Sequence, residues 1–224
     1  MNRLSLVRSA AIRALCGAAL IGLFLFLPAG TMNYPNAWLL LALLFAPMAV
    51  IGAVLAVKAP QLLEKRINMR ERMRSQSRII MLSGILLVLS LALSGLSFRF
   101  GWLQLPLWIV RTAALLFLTG YALYAEVLRE NAWLSRTLEI QEGQKLVDTG
   151  LYGIVRHPMY AATILIFLSM PLVLGSLAAL IVMLPYPLLL ARRITEEEQM
   201  LLRGLSGYED YTKRVLWRMI PFLW

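Results

Sequence analysis

The stretch ALCGAALIGLFLFLPAGTMNYPNAWLLLALLFAPMAVIGAVLAV, residues 14–57, runs from Arg13 to Lys58 without one formally charged side chain. A helix needs about 20 apolar residues to cross the hydrocarbon of a bilayer, so these 44 positions hold two spans. Pro28, Gly30, Asn33, Pro35 and Asn36 are turn formers that divide the stretch. The first span is expected over 14–28 and the second over 37–57. Arg3, Arg8 and Arg13 resemble the charged start of a secretion signal, but the cleavage pattern is poor and a second apolar run follows at once, so the segment is expected to stay as a span.

Working outward, residues 58–78 form a basic linker, with Lys58, Lys65, Arg66, Arg70, Arg72, Arg74 and Arg78 against Glu64 and Glu71. Leu62, Leu63, Ile67, Met69 and Met73 are interspersed, which suits a helix lying at the headgroups; a solvated loop suits the composition equally. A third span is expected over 79–98. The turn 99–106 carries Trp102, an interfacial residue type, and a fourth span follows over 107–125, with Arg111 placed to snorkel at its outer end. Residues 157–191 again carry no formal charge with His157 neutral, and Gly175 and Ser176 sit near the middle. Two helices of ~16 residues would each reach ~24 Å, so a tight helical hairpin is expected over 158–191, kinked at Pro171, Pro185 and Pro187.

Composition agrees. The 224 residues are 60% hydrophobic and 15% charged, with mean hydropathy +0.72. Soluble domains run nearer 45–50% apolar and about 25% charged, and disordered chains are poor in apolar residues. The fold class is therefore all-α integral membrane protein: four transmembrane helices plus a C-terminal helical hairpin, with cytoplasmic interfacial loops forming the functional site. Residues 1–125 are expected to be the N-terminal membrane unit and 126–224 the chemical one.

The net charge is +10, yet 20 of the 22 Lys and Arg fall in 1–13, 58–78, 126–157 and 191–224, leaving Arg99 and Arg111 opposite. All 12 acidic residues share those four segments. The positive-inside bias places them, and both termini, in the cytoplasm, with the inner membrane of a cell as the expected site and anionic lipids as neighbours. Nucleic acid is not expected as a partner, because the charge is explained by topology. Cys16 is the single cysteine and His157 the single histidine, so a disulfide, a cysteine-based zinc site and a multi-histidine metal site are all excluded.

Polar chemistry concentrates in two blocks that the hairpin joins at one membrane face. The first is ENAWLSRTLEIQEGQKLVDTGLYGIVRHPMY, 130–160. Residues 126–136 are expected to continue the fourth helix, 137–147 to form a short hairpin turning at Glu142-Gly143, and 148–150 to form a turn. Pro158 suits a helix start, which gathers Arg156, His157 and Tyr160 at an interfacial helix N-terminus. The second block is RRITEEEQMLLRGLSGYEDYTKRVLWRMIPFLW, 192–224, where Arg193 and Glu197 share a helix face at i,i+4 and Gly207 ends the helix. Tyr208 and Tyr211 share a face at i,i+3, and Arg214, Arg218, Trp217 and Trp224 suit the headgroup layer. On spacing alone, a belt of headgroup anchors explains the first block better than a site does, and a stop-transfer collar is a credible reading of the second.

In order and spacing the two blocks resemble the isoprenylcysteine carboxyl methyltransferase family and the related membrane phospholipid methyltransferases. The segments carrying the resemblance are Gly150-Leu151-Tyr152-Gly153-Ile154-Val155-Arg156-His157-Pro158-Met159-Tyr160, then Arg193-Ile194-Thr195-Glu196-Glu197-Glu198, then Gly207-Tyr208-x-x-Tyr211 through Arg218-x-Ile220-Pro221. The upstream stretch with Ser135-Arg136 and Ile140-Gln141-x-Gly143 fits bacterial-type members. Leu151 departs from a common proline and Ala162 from a common glycine. The resemblance spans about 95 C-terminal residues and implies S-adenosylmethionine as cofactor. By it, Gly150, Tyr152, Arg156, His157, Pro158, Tyr160, Glu197 and Glu198 would form the cofactor site, and Arg193 and Glu197 the catalytic pair. The implied acceptor is a lipophilic small molecule or lipidated group, either an isoprenylcysteine-like carboxylate or a lipid amine. The same C-terminal architecture recurs in NADPH-dependent sterol-reductase-like membrane proteins, so a reductase, or an accessory protein that kept the fold, stands as the alternative.

Overall fold

The computed structural model describes residues 3–68, 74–134 and 139–224. Met69, Arg70, Glu71, Arg72 and Met73 of the linker, and Ser135, Arg136 and Thr137 of the first polar block, lie outside the described residues. Nine α-helices are described: α1 (Arg3–Ala29), α2 (Pro35–Lys58), α3 (Pro60–Asn68), α4 (Arg74–Phe100), α5 (Leu107–Glu130), α6 (Pro158–Val173), α7 (Leu177–Met183), α8 (Tyr186–Gly204) and α9 (Tyr208–Arg214). A 3₁₀ turn at Gly150–Gly153 precedes α6. Among the described residues, five helical segments are long and apolar enough to cross a membrane, with α7 and α8 together supplying the fifth, and α6 is a shorter apolar helix of 16 residues. Leu15, Leu27, Val50, Val57 and Leu115 stand exposed along these helices. That much outward apolar surface suits lipid rather than water, and the chain is a multi-pass integral membrane protein.

The helices pack where small residues let backbones approach. At Gly95 of α4 an added Cβ would lie 2.5 Å from the Leu25 carbonyl oxygen of α1. At Gly120 of α5 it would lie 2.7 Å from Ile166 Cγ1 of α6. The α5–α6 pair has the most extensive packing, and its core joins Ala113, Phe117, Ile166 and Met170 to Leu25 and Leu40 from α1 and α2.

Both ends of the bundle are organised. At one end Gly175 takes φ +76°, turning α6 into α7, while Ser176 caps α7 by accepting from Ala179 N at 3.2 Å. Leu105 N donates to Gly175 O at 2.8 Å and Tyr34 Oη to Leu174 O at 2.7 Å. This gathers the turns after α1, α4 and α6. At the other end Gln76 of α4 meets Glu196 of α8, and Leu6, Ala56 and Leu63 cluster. Within the linker a helix forms as α3, with Leu62 and Leu63 buried and Leu63 packed on Leu6 and Ala56.

Four expectations change in detail. α5 ends at Glu130 rather than continuing through the following residues, because Asn131 leaves helical geometry and its side chain is taken up by Tyr152. The segment 139–147 makes the expected turn, with Gly143 at φ +72° and Gln144 N donating to Gln141 O, but no strand forms among its described residues. Side chains satisfy its backbone instead: Gln141 N donates to Gln144 Oε1 and Gln141 Nε2 to Trp133 O. The second leg of the hairpin breaks at Leu184–Pro185, and α8 then runs on to Gly204 instead of ending near 191. Pro171, by contrast, lies in the last turn of a continuous α6.

Candidate functional site

The site forms where the 3₁₀ turn, the start of α6, the polar half of α8 and α9 meet. Pro158 opens α6 with His157 at its N-cap. Arg156 N and His157 N donate to the carbonyls of Trp217 and Arg218 at 2.9 and 2.7 Å, so the tail after α9 is stitched to the residues before α6. Gly150 holds φ +54°, and a Cβ there would fall 1.5 Å from Glu130 Oε1. Glu130 uses that space to accept from Leu151 N at 3.0 Å, which fixes the loop to the end of α5. Tyr152 Oη accepts from Asn131 Nδ2 at 2.9 Å, and the Tyr152 carbonyl accepts from Tyr211 Oη at 2.7 Å.

The three consecutive glutamates of α8 point apart, since successive helical residues rotate by about 100°. Glu196 accepts from Gln76 Nε2 at 2.6 Å and lies 3.4 Å from Arg192 Nε. Glu197 Oε2 accepts from Tyr160 Oη at 2.6 Å, and Tyr160 Oη in turn accepts from Arg193 Nε at 3.0 Å. Arg193 and Glu197 thus meet through one phenol, on the face their spacing implied. Glu198 is buried between two guanidiniums and the imidazole: Arg156 Nε and Arg218 Nε each donate to it at 2.7 Å, and His157 Nε2 lies 3.3 Å away. Arg156 also donates from Nη1 to the carbonyls of Val215 and Leu216.

A cavity opens between these elements. Among the expected residues, Tyr152, Arg156, His157, Tyr160, Arg193 and Glu197 line it. Gly150, Pro158 and Glu198 do not; they stand behind its wall and shape it. The remaining lining is of two kinds. Asn131, Glu139, Gln144 and Lys145 supply polar edges, while Leu146, Leu201, Leu205, Tyr208 and Tyr211 form an apolar and aromatic end.

Three contributors were not singled out from the sequence. Glu130 is a helix-end carboxylate whose role depends on a loop that folds back 21 positions later. Asn131 holds Tyr152 across the same distance. Arg218 was read as a headgroup anchor, yet it closes the cluster on Glu198 and lies over the Trp224 ring at 5.1 Å; its place in the closing motif was the available signal. Among the described residues no group of three His, Cys, Asp or Glu side chains is placed to hold a metal.

Residues 108–206, from the first turn of α5 to just beyond α8, match the phospholipid methyltransferase family. Delta(14)-sterol reductase TM7SF2 of Mus musculus is 32% identical over 91 residues, 39% of this chain. The match covers only 22% of that protein, about a fifth of its length. The family match encloses Arg156, His157, Tyr160, Arg193, Glu197 and Glu198.

Proposed function

We propose that the protein is an S-adenosylmethionine-dependent methyltransferase acting on a lipophilic acceptor, either an isoprenylcysteine-like carboxylate or a lipid amine, at the cytoplasmic face of an inner membrane. The observation that carries the reading is the convergence of Arg156, His157, Tyr160, Arg193 and Glu197 on one cavity within the family-matched segment. Residues 126–224 would be the catalytic region.

The residues present fit that cofactor. It carries a sulfonium, an ammonium and a carboxylate. The Glu197 carboxylate faces the cavity and suits the cations. Arg156 has five N–H donors, and its contacts to Glu198, Val215 and Leu216 engage Nε and Nη1, so the rest of the fork suits a carboxylate. The buried Tyr208 Oη has no protein partner. When bound, the cofactor supplies the transferable methyl group. Glu198 holds Arg156 and His157 in place, and Tyr160 holds Glu197. With an amine acceptor, Glu197 is placed to accept the proton that the nitrogen must lose. A carboxylate acceptor needs no base, and Arg193 then suits its charge. Positioning and electrostatics supply most of the catalysis in such a displacement.

The likeness to Delta(14)-sterol reductase favours a second reading, an NADPH-dependent membrane reductase. Equilibrium binding to the purified protein in lipid nanodiscs separates the two. Saturable binding of S-adenosylmethionine without NADPH is expected; binding of NADPH alone would replace the methyltransferase by the reductase.

A further inference from the structure

Among the described residues, the cavity is lined by a buried hydroxyl that no protein group partners. Tyr208 is 3% exposed and lines the cavity, yet its hydroxyl has no partner among them. Its neighbours behave otherwise. Tyr160 Oη is shared between Arg193 and Glu197, Tyr211 Oη donates to Tyr152 O, and Tyr152 Oη accepts from Asn131. A buried hydroxyl without a partner is costly, so a cavity that keeps one is built for a ligand that supplies the partner.

The backbone places the phenol deliberately. Gly207 adopts φ +80° as the N-cap of α9, so Tyr208 is the first residue of that helix and turns inward against Tyr211, with ring centroids 5.6 Å apart. Leu146, Leu201 and Leu205 complete this end of the cavity. Such walls receive something flat and apolar. Burial first, then the charges of Glu198 and Glu197, push the Tyr208 phenol up, so it stays a neutral O–H donor. Arg156 opposes the two carboxylates in part. A ligand part that suits both this donor and the aromatic and apolar walls is a neutral heteroaromatic ring with an acceptor nitrogen at its edge.

We propose that Tyr208 donates a hydrogen bond to the purine of the bound cofactor, and that the Leu146–Tyr211 end of the cavity is the base subsite. This rests on the methyltransferase reading. It leaves the Tyr160–Glu197–Arg193 end for the methyl group and the acceptor. Tyr208 lies beyond the family-matched residues 108–206.

The test uses the full-length protein in nanodiscs, wild type and Tyr208→Phe. Affinity is measured for S-adenosylhomocysteine and, by competition against it, for 5′-methylthioadenosine, which keeps the base and ribose but lacks the amino acid. The thermal midpoint of the ligand-free protein is followed in parallel. Tyr208→Phe should weaken both ligands about tenfold, the loss of one hydrogen bond. It should leave the ligand-free midpoint unchanged or raise it, because a buried unpaired hydroxyl is removed. Unchanged affinity in the variant overturns the assignment while the methyltransferase reading stands. Weakening of S-adenosylhomocysteine alone moves Tyr208 to the amino-acid end and also overturns it. A midpoint that falls along with affinity makes Tyr208 structural. Failure of wild type to bind either compound overturns the methyltransferase reading and this subsite with it.

Discussion

Glu198 sits where Arg156, Arg218 and His157 converge, and its carboxylate is held by groups from two separated segments of chain. Removing it does not simply delete one contact. The Arg156 side chain is only 8% exposed, so Glu198→Ala leaves a buried guanidinium with one partner fewer. Breaking a buried pair from one side costs about 3–5 kcal/mol. The expected result is a large fall in the thermal midpoint in nanodiscs, together with loss of cofactor binding, because Arg156 and His157 form part of the cavity wall. Lys213→Ala is the control. Its pairs with Glu209 and Asp210 lie in the open, where ion pairs contribute little, and the midpoint should not move. Equal behaviour of the two variants would show that Glu198 does not organise the site.

Between elements, the most extensive packing is that of α5 and α6. Members of the resembled family often have glycine where this chain has Ala162, and here the intimacy is supplied from the other side. Gly120 faces α6, and a Cβ on it would lie 3.2 Å from Ala162 O and from Ile166 N. Helix propensity alone makes Gly→Ala favourable by about 1 kcal/mol, whereas overpacking costs about 1–3 kcal/mol. Gly120→Ala should therefore lower the midpoint, while Gly84→Ala on α4, with nothing within 4 Å of the new methyl, should hold or raise it. A gain at both positions would mean that α5 and α6 have room between them. These packed helices were legible in the sequence because uncharged runs and turn formers mark them directly. The Gly175–Ser176 turn and the Pro158 start fell where residue chemistry placed them. The described parts of the following loop, 131–134 and 139–149, were not legible. They are held by Glu130 on Leu151 N, Asn131 on Tyr152 and Gln141 on Trp133 O. These are long-range or side-chain bonds that no periodicity records, so alternation was read as strand where there is none among the described residues. The α8 glutamates were legible as a cluster, but which of them faces the cavity depends on rotation about the helix, and only packing against α4, α6 and the tail decides it.

At the scale of the molecule, the bundle has two chemically different ends. The turns after α1, α4 and α6 meet at one, and Arg99 lies there beside Gly30. At the other are the start of α4, the end of α5, the start of α6, the charged half of α8 and α9. The Lys and Arg of the described residues follow the same partition, and by the positive-inside bias the rich end would face the cytoplasm. This predicts accessibility without reference to any activity. Cys16 is the single cysteine and lies in α1, so Cys16→Ala gives a background free of thiols. In it, Met32→Cys and Leu103→Cys at the sparse end should react with a membrane-impermeant maleimide in intact cells. Lys213→Cys and Glu209→Cys on α9 should react only after the membrane is opened. Reaction of the α9 positions in intact cells would invert the orientation and put the cavity outside, away from the cytoplasm. Reaction of both sets in intact cells would separate the bundle ends from the two faces of the membrane. Labelling that follows the charge division would instead mean that the distribution of arginines, the packing of the helices and the placement of Glu197 beside Tyr160 all serve one arrangement. In it the polar cavity would open to water on one side only.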